Sequence, residues 1–307
     1  MRNLNRALVL LLASCPAFAI NENAGTTGFN FLKIPVGARA SALGGAFVAV
    51  RGDLESTTWN PAGLLGLNDR AGTVSITRYL VDTEAGFASV AFPGDGQVWA
   101  LSLNYFNYGD MRRTDAQGQD LGSFGASDLA VYLSRAQPLW HDRLTVGVNL
   151  KAVYSRIDDF SSDAYMVDIG LLAPAPIPGM TIGAALSNLG TVRGGFAGGS
   201  KDSLPVNFSV GVTHRPAHAP VPLIVLADFN VPNDNDPYFA FGIEFRVGQG
   251  LYLRPGYSLQ QTGLEGNDPL GASAGAGFLM QGYRLDYAFT SFPDLGDVHR
   301  VSVSGTF

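Results

Sequence analysis

The chain has 307 residues, with 20 Lys and Arg against 26 Asp and Glu, and its formal net charge of −6 disfavours a nucleic-acid partner. Charged residues make up only 15% of the sequence and 38 residues are glycine, which is too apolar and too glycine-rich for an ordinary soluble enzyme. No stretch beyond the N-terminal region offers 18 consecutive apolar residues, so a helical membrane protein is excluded as well.

The first predicted element is an export signal over residues 1-19. Two arginines precede a short apolar run, and Ala17-Phe18-Ala19 is the small-x-small pattern that a signal peptidase cuts after. Cleavage after Ala19 would remove Cys15, the one cysteine of the sequence, and would leave 18 Lys and Arg against 26 Asp and Glu. An alternative stays open, because Leu12-Ala13-Ser14-Cys15 also resembles a lipobox in which Cys15 becomes lipidated.

Residues 20-70 lack the alternation of a strand and are predicted to form a plug, or hatch, in the lumen of a barrel. The run from Ala38 to Val50 is rich in small residues, which can pack closely against surrounding walls. Asn60-Pro61 and Gly63 mark a turn. A periplasmic linker is the alternative for this segment.

From about residue 72 onward, apolar residues recur at every second position, which is the period of a strand with two different faces. Between Leu144 and Tyr154, for example, the apolar residues alternate with Thr145, Asn149 and Lys151. Most segments have about 9 to 11 residues, the length of a membrane-spanning β-strand. The fourteen predicted strands cover residues 72-80, 85-92, 97-106, 126-136, 143-156, 163-173, 179-188, 204-214, 221-230, 238-247, 250-259, 270-279, 282-291 and 298-307.

The connections between these strands alternate in length. Tight turns follow even-numbered strands, and the longest loops, 107-125 and 189-203, follow odd-numbered ones. Outer-membrane barrels have short periplasmic turns and longer extracellular loops, so we expect these two loops outside the cell. The predicted fold class is all-β, a transmembrane antiparallel β-barrel of about fourteen strands over residues 71-307, with an N-terminal lumenal hatch, in the outer membrane.

Charged residues share one phase of the alternation, and this phase is predicted to face the lumen. The reason is energetic, because Arg or Lys on the lipid face at mid-bilayer costs about 2 to 4 kcal/mol. The predicted lumen-lining residues are Lys151, Asp168, Asp228, Glu244, Arg246, Arg254 and Asp286. The expected strand register sets Lys151 opposite Asp168, and Glu244 opposite Arg254.

The last predicted strand alternates through Val301 and Val303 and ends on the aromatic residue Phe307. This ending resembles the C-terminal signal by which barrel-assembly machinery recognises its clients. The expected partners therefore include that machinery and the lipid of the outer membrane.

Several motifs resemble the PorV/PorQ family. They are Pro35-Val36-Gly37-Ala38-Arg39-Ala40, Leu43-Gly44-Gly45-Ala46, Trp59-Asn60-Pro61-Ala62-Gly63-Leu64, Tyr108-Gly109-Asp110, Gly147-Val148-Asn149-Leu150-Lys151, Asp168-Ile169-Gly170-Leu171, Asn188-Leu189-Gly190 and Leu204-Pro205. That family is similar to the FadL long-chain fatty-acid transporters, so the resemblance implies fourteen strands and a lumenal hatch with an Asn-Pro-Ala element. The hatch or gating residues that it implies are Asn60, Pro61, Ala62, Gly63, Gly44 and Gly45.

No motif predicts catalysis, a cofactor or a metal site. Gly271-Ala272-Ser273-Ala274-Gly275 matches G-x-S-x-G, but it lies within a predicted strand and not at the strand-turn-helix junction of a nucleophile elbow. Asn233-Asp234-Asn235-Asp236 has oxygen ligands for calcium, but the same residues are typical of a turn. We therefore predict a protein that is not an enzyme.

Two non-catalytic functions are compatible with the resemblance. The first, which we favour because the motifs match PorV/PorQ more closely than FadL, is a component of type IX-like protein export whose outer loops bind secreted cargo proteins. The alternative is a FadL-like channel for the uptake of hydrophobic small molecules such as long-chain fatty acids.

Overall fold

The computed structural model describes residues 23, 25-140, 143-196, 201-260, 271-292 and 296-307. These residues form fourteen antiparallel strands that pair in chain order and close into a barrel, with the first strand paired to the last. The predicted all-β barrel of fourteen strands is confirmed. The predicted cleavage after Ala19 and the alternative lipidation of Cys15 lie outside the described residues.

The strands are β1 Ala71–Arg78, β2 Glu84–Gly94, β3 Gln97–Thr114, β4 Asp120–Leu139, β5 Leu144–Ile157, β6 Phe160–Pro174, β7 Met180–Gly194, β8 Asn207–His214, β9 Leu223–Pro232, β10 Tyr238–Val247, β11 Leu251–Ser258, β12 Ala272–Met280, β13 Tyr283–Phe292 and β14 Gly296–Thr306. In each strand successive side chains point alternately outward, away from the lumen, and inward, toward the lumen; we call these two sets the outward phase and the inward phase. In β1, Val74 and Ile76 point outward and are exposed, while Thr73 and Ser75 point inward and are buried. The outer surface of the barrel is thus apolar and its inner surface is polar, which is the arrangement of a barrel in lipid.

Two-residue turns close two hairpins at one end of the barrel. Asp95-Gly96 and Gln281-Gly282 have positive φ at both positions, which is the conformation of a type I′ turn and matches the twist of the flanking strands. The barrel also begins at Ala71 and finishes at Thr306 on this end, which we name the inner end. The opposite end is the outer end, and the loop lengths above predict that it faces the outside of the cell.

The predicted outer loop 107-125 is wrong in its extent. Strand β3 continues to Thr114 and β4 begins at Asp120, so only residues 115-119 form the connection. The two strands stay paired beyond a bulge between Asn107 and Asp110. Neither face of this extension is buried, so its apolar residues do not recur at every second position and the sequence pattern of a strand is absent there.

A chain segment of residues 27-67, here called the N-terminal segment, runs from the outer end to the inner end. It contains helices α1 (Ala38–Ala42) and α2 (Ser56–Trp59) and the 3-10 helices Asn30–Lys33 and Pro61–Leu64. A third 3-10 helix, Leu80–Asp82, connects β1 to β2. Helix α1 packs against β11 to β14, whereas Pro61–Leu64 packs against β4 to β6. Because these strands lie on different sides of the closed ring, the segment contacts the wall on both sides.

Contacts at the outer end fix the direction of this segment, because its other end continues into β1 at the inner end. Thr27 pairs with Ser203 in the connection between β7 and β8, and the Lys33 Nζ lies 2.6 Å from the Asp234 Oδ2 in the connection between β9 and β10. Both connections are at the outer end.

Among the described residues, no helix has the length and hydrophobicity that a membrane-spanning helix requires.

Candidate functional site in the lumen

Arg39 of α1 joins the N-terminal segment to the barrel wall. Its Nε and Nη2 donate to the two carboxylate oxygens of Glu244 on β10, at 2.8 and 2.7 Å. Its Nη1 donates to the Asp53 Oδ2 of the same segment at 2.8 Å. A two-pronged guanidinium-carboxylate contact is short and directional, so it fixes α1 against the wall in one orientation.

The bonds of Arg39 are part of a closed cycle. Arg254 donates to Glu244 and to Asp286, at 2.6 and 2.7 Å. Arg284 donates to Asp286 at 2.6 Å and returns to the Asp53 Oδ2 at 3.0 Å. We call this cycle the ionic ring, and its members in order are Arg39, Asp53, Arg284, Asp286, Arg254 and Glu244. Three arginines alternate with three carboxylates, so each charge has two partners of opposite sign, and every member except the half-buried Arg284 is buried.

Two carboxyl groups of the N-terminal segment, Asp53 and Glu55, have opposite pKa shifts. Burial raises the pKa of Asp53, but the charges of Arg284 and Arg39 outweigh it and bring that pKa to about 2. Burial, followed by the charge of Asp53, raises the pKa of Glu55 to about 7. The Glu55 carboxylate accepts a hydrogen bond from the Ala40 backbone N–H at 2.9 Å. Asp53 therefore stays ionised at neutral pH, whereas Glu55 titrates there.

Asp228 and Asp168 of the wall bind backbone N–H groups. The Asp228 Oδ2 accepts from the Phe47 and Val48 N–H groups of the N-terminal segment, at 2.6 and 2.8 Å. The Asp168 Oδ1 accepts from the Asn188 N–H at 2.7 Å. Asp228 thus attaches a second point of the segment to the wall.

One of the two predicted registers is wrong. Asp168 stands opposite Asn149, and Lys151 stands opposite Met166, because the hairpin turns on residues 158-159 and Ile157 pairs with Phe160. The Lys151 Nζ still lies 2.6 Å from the Asp168 Oδ1, since the long lysine side chain reaches the diagonal neighbour.

The second predicted register, between Glu244 and Arg254, agrees with the pairs on either side of it. Gly242 is paired with Gly256, and Phe245 with Leu253, so Glu244 and Arg254 face one another. Of the other predicted lumen-lining residues, Arg246 is exposed at the inner end of β10, and the rest are buried.

The Asn60-Pro61-Ala62-Gly63 element lies against the wall at β5 and β6. The Asn60 Nδ2 donates to the backbone oxygens of Val48 and Leu171, at 2.7 and 3.0 Å, and its Oδ1 accepts from the Ala62 N–H at 3.1 Å. Asn60 thus caps the 3-10 helix that begins at Pro61. One amide therefore bonds the element to the preceding chain and to the wall.

Two wall glycines make room for this element. A Cβ on Gly170 would lie 1.9 Å from the Asn60 Oδ1, and a Cβ on Gly147 would lie 2.1 Å from the Ala62 nitrogen. Neither distance is possible for real atoms, so the wall can approach the element so closely only with glycine at these positions.

Gly44 and Gly45 follow α1 with positive φ, a conformation that suits glycine. A Cβ on Gly44 would lie 2.6 Å from the Tyr257 backbone nitrogen of β11, and one on Gly45 would lie 3.0 Å from the Trp59 ring. The glycine pair therefore lets the turn after α1 contact the backbone of the wall.

A cavity of about 600 Å³ lies between the N-terminal segment and the outer part of the wall. Most of the exposed surface area that lines it is apolar, from residues such as Phe31, Leu32, Ile34, Trp59, Phe106 and Phe292, while half of the lining residues are polar, including Lys33, Lys151 and Asp234. We call it the outer cavity. A concave, mainly apolar space with a few polar groups is the usual form of a site for a small molecule.

Arg300 of β14 contributes a cation to the outer cavity. Its side chain is 1% exposed, and it donates to the Pro35 carbonyl at 3.1 Å and to the Thr290 Oγ1 at 3.2 Å. Within the described residues, no carboxylate forms an ion pair with it. A buried guanidinium with neutral partners can bind an anionic or strongly polar group of a ligand.

Four charged residues of the candidate site, Arg39, Asp53, Arg284 and Arg300, were not predicted from the sequence. Arg284 and Arg300 lie in the inward phase of their strands, two residues from Asp286 and from Ser302, so the alternation could have identified them. Arg39 is an isolated charge among small residues and Asp53 lies between Arg51 and Glu55, but nothing in the sequence indicates the partners of Arg39 and Asp53.

The residues of the predicted assembly signal lie on the outer surface. Val301 and Val303 point outward and are exposed, and Phe307 is 71% exposed beside the start of β1. The Phe307 N–H donates to the Arg70 carbonyl at 2.9 Å. All three side chains are accessible from outside the barrel, and their recognition by assembly machinery stays a prediction.

Comparison with solved structures reveals the same fold. The chain is similar to the toluene transporter TbuX of Ralstonia pickettii, with 14% identity, a TM-score of 0.62, and coverage of 89% of this chain and 98% of that one. It is also similar to a ΔS2S3 mutant of the monoaromatic hydrocarbon channel TodX, with 13% identity, a TM-score of 0.61, and coverage of 89% and 99%. No protein-family model and no curated protein matches the sequence.

Proposed function

We propose that the protein is a non-catalytic channel of the outer membrane for the uptake of hydrophobic small molecules. The observation that carries this proposal is the outer cavity of about 600 Å³ with its mostly apolar surface. Its volume is within the range of sites for small organic molecules. The two similar structures, a toluene transporter and a monoaromatic hydrocarbon channel, support the same class of solute.

In this proposal the N-terminal segment is a hatch. Its attachment to both sides of the wall through Arg39, Asp228 and Asn60 would close the lumen below the outer cavity. A solute would bind among the apolar side chains of the cavity, and Arg300 would contact its polar group if it has one. Passage would then require movement of the segment.

The test is uptake into cells that carry a blocked cavity. Ser187 lines the outer cavity, whereas Ala184 of the same strand lies in the outward phase, so Ser187→Trp fills the cavity and Ala184→Trp is a matched control. Toluene and a fluorescent fatty acid are the two probes. We expect Ser187→Trp to reduce uptake of at least one probe, with Ala184→Trp equal to wild type. Equal uptake of both probes by the two variants would refute the channel.

The export function, which the sequence analysis favours, stays a prediction. No feature of the described residues favours the binding of secreted cargo, and neither of the similar structures carries a description that involves protein secretion. Loss of cargo secretion from cells that lack the protein, with normal uptake of both probes, would restore it as the better proposal.

A further inference from the structure

A second cavity, of about 490 Å³, lies at the inner end of the barrel and is lined by five arginines of the described chain. Three of them, Arg39, Arg254 and Arg284, belong to the ionic ring. The other two, Arg215 and Arg246, are exposed and lie in the connection before β9 and at the end of β10. We call this space the inner cavity.

Arg215 and Arg246 differ from the ring arginines in their partners. Neither forms an ion pair with a described carboxylate, whereas each ring arginine has two. Counted with the three carboxylates of the ring, the five arginines leave an excess of two positive charges, and an ionised Glu55, whose charge acts on Arg284, reduces this excess to one. The protein as a whole has a formal net charge of −6, so the inner cavity is locally opposite in sign to the rest of the molecule.

Arg215 and Arg246 both line the inner cavity, and parts of its wall are conformationally restricted. Pro216 and Pro222 line the cavity and restrict the backbone of the connection that carries Arg215. Arg246 follows Phe245, which is paired with Leu253 in the hydrogen-bonded ladder. The Tyr252 ring packs on the Arg254 guanidinium at 5.5 Å and forms part of the same wall.

We propose that the inner cavity is a binding site for a small anion with a carboxylate or phosphate group, and that Arg215 and Arg246 bind it. A guanidinium matches either group with two parallel N–H···O bonds. The donors of Arg215 and Arg246 are available without the loss of an ion pair. The ring arginines behind them are balanced by the three ring carboxylates, so the positive potential of the cavity comes from Arg215 and Arg246.

The test is isothermal titration of the folded, full barrel in detergent at low salt, with inorganic phosphate in one arm and acetate in the other. The site variant is the double substitution R215Q/R246Q. The control is R70Q/R143Q, which removes the same charge from two exposed arginines at the inner end that form no described ion pair and do not line the cavity. We expect saturable binding of at least one anion by wild type and control. R215Q/R246Q removes two charge-assisted contacts, so its binding should be weaker by about tenfold or more, since the loss of one such contact already corresponds to about tenfold.

Absence of saturable binding of both anions in wild type would overturn the proposal, and so would equal affinity of R215Q/R246Q and R70Q/R143Q. Circular dichroism reports whether each variant has its strands, and R215Q and R246Q as single variants provide the same comparison if the double variant does not fold. The titration involves no hydrophobic solute, so its result is independent of the proposed channel function.

Discussion

The two halves of the lumen are built differently. The outer half has apolar side chains around an open cavity and one buried guanidinium, Arg300, with no described carboxylate partner. The inner half holds the N-terminal segment by paired charges in the ionic ring and by the bonds of Asp228. Ion pairs bind the segment to the barrel in both halves, since Lys33 pairs with Asp234 at the outer end. The halves differ because, in the described part of the chain, only the outer half has a cavity with a mostly apolar surface, which in the proposed function receives a solute.

The largest expected effect comes from removal of the N-terminal segment. Deletion of residues 25-65 takes away the contacts on both sides of the wall and should leave the lumen of a fourteen-stranded barrel open. We expect a large rise in the conductance of the deletion variant in planar bilayers. Unchanged conductance in a correctly folded deletion would mean that the segment is a linker and not a hatch.

The next effect concerns the ionic ring. Arg39→Ala leaves Asp53 and Glu244 buried with one partner fewer, which should cost about 3 to 5 kcal/mol of unfolding free energy. Urea unfolding in lipid vesicles measures it. Arg112→Ala is the control, because the ion pair of Arg112 with Asp120 is exposed and should contribute about 0 to 1 kcal/mol. Equal losses in the two variants would remove the distinction between the ring and a surface pair.

A smaller effect is expected at the wall glycine beside the Asn-Pro-Ala element. Gly170→Ala puts a methyl group in the position of the Asn60 Oδ1 and forces the element to move, at a cost of about 1 to 3 kcal/mol. Gly86→Ala is the matched control, since a Cβ there meets nothing within 4 Å. The same urea titration should separate them. If Gly170→Ala is as stable as Gly86→Ala, the close contact with the element is absent in the folded protein.

The barrel was predictable from the sequence because lipid outside and polar groups inside impose opposite demands on successive residues. Beyond the lipid and the lumen this contrast between the two faces is absent, so the extension of β3 to Thr114 shows no alternation and was not predicted. The ionic ring was only half predictable. Glu244, Arg254 and Asp286 were identified from strand phase, and Arg284 could have been, but Arg39 and Asp53 depend on the path of an irregular segment between distant strands, which no local pattern encodes.

The smallest expected effect is a pH dependence of stability that arises from Glu55. Burial and the charge of Asp53 raise the pKa of Glu55 from its ordinary 4.5 to about 7, so between these values the folded protein holds a proton that the unfolded chain has lost. The contribution of Glu55 to the unfolding free energy is fully present below about pH 4.5 and is lost as the pH rises through about 7. Asp53 has the opposite sign, with a pKa lowered from 3.8 to about 2, and acts below this window.

Glu55→Gln keeps an oxygen that can accept from the Ala40 N–H but cannot ionise. Its unfolding free energy should therefore fall less steeply than that of wild type between about pH 5 and about pH 7. Urea unfolding at several values in this range measures the two slopes, and Glu84→Gln, at an exposed position, should retain the slope of wild type. A wild-type slope in Glu55→Gln would assign the pH dependence to another group, because the substitution removes the titration of Glu55 and leaves its backbone contact available.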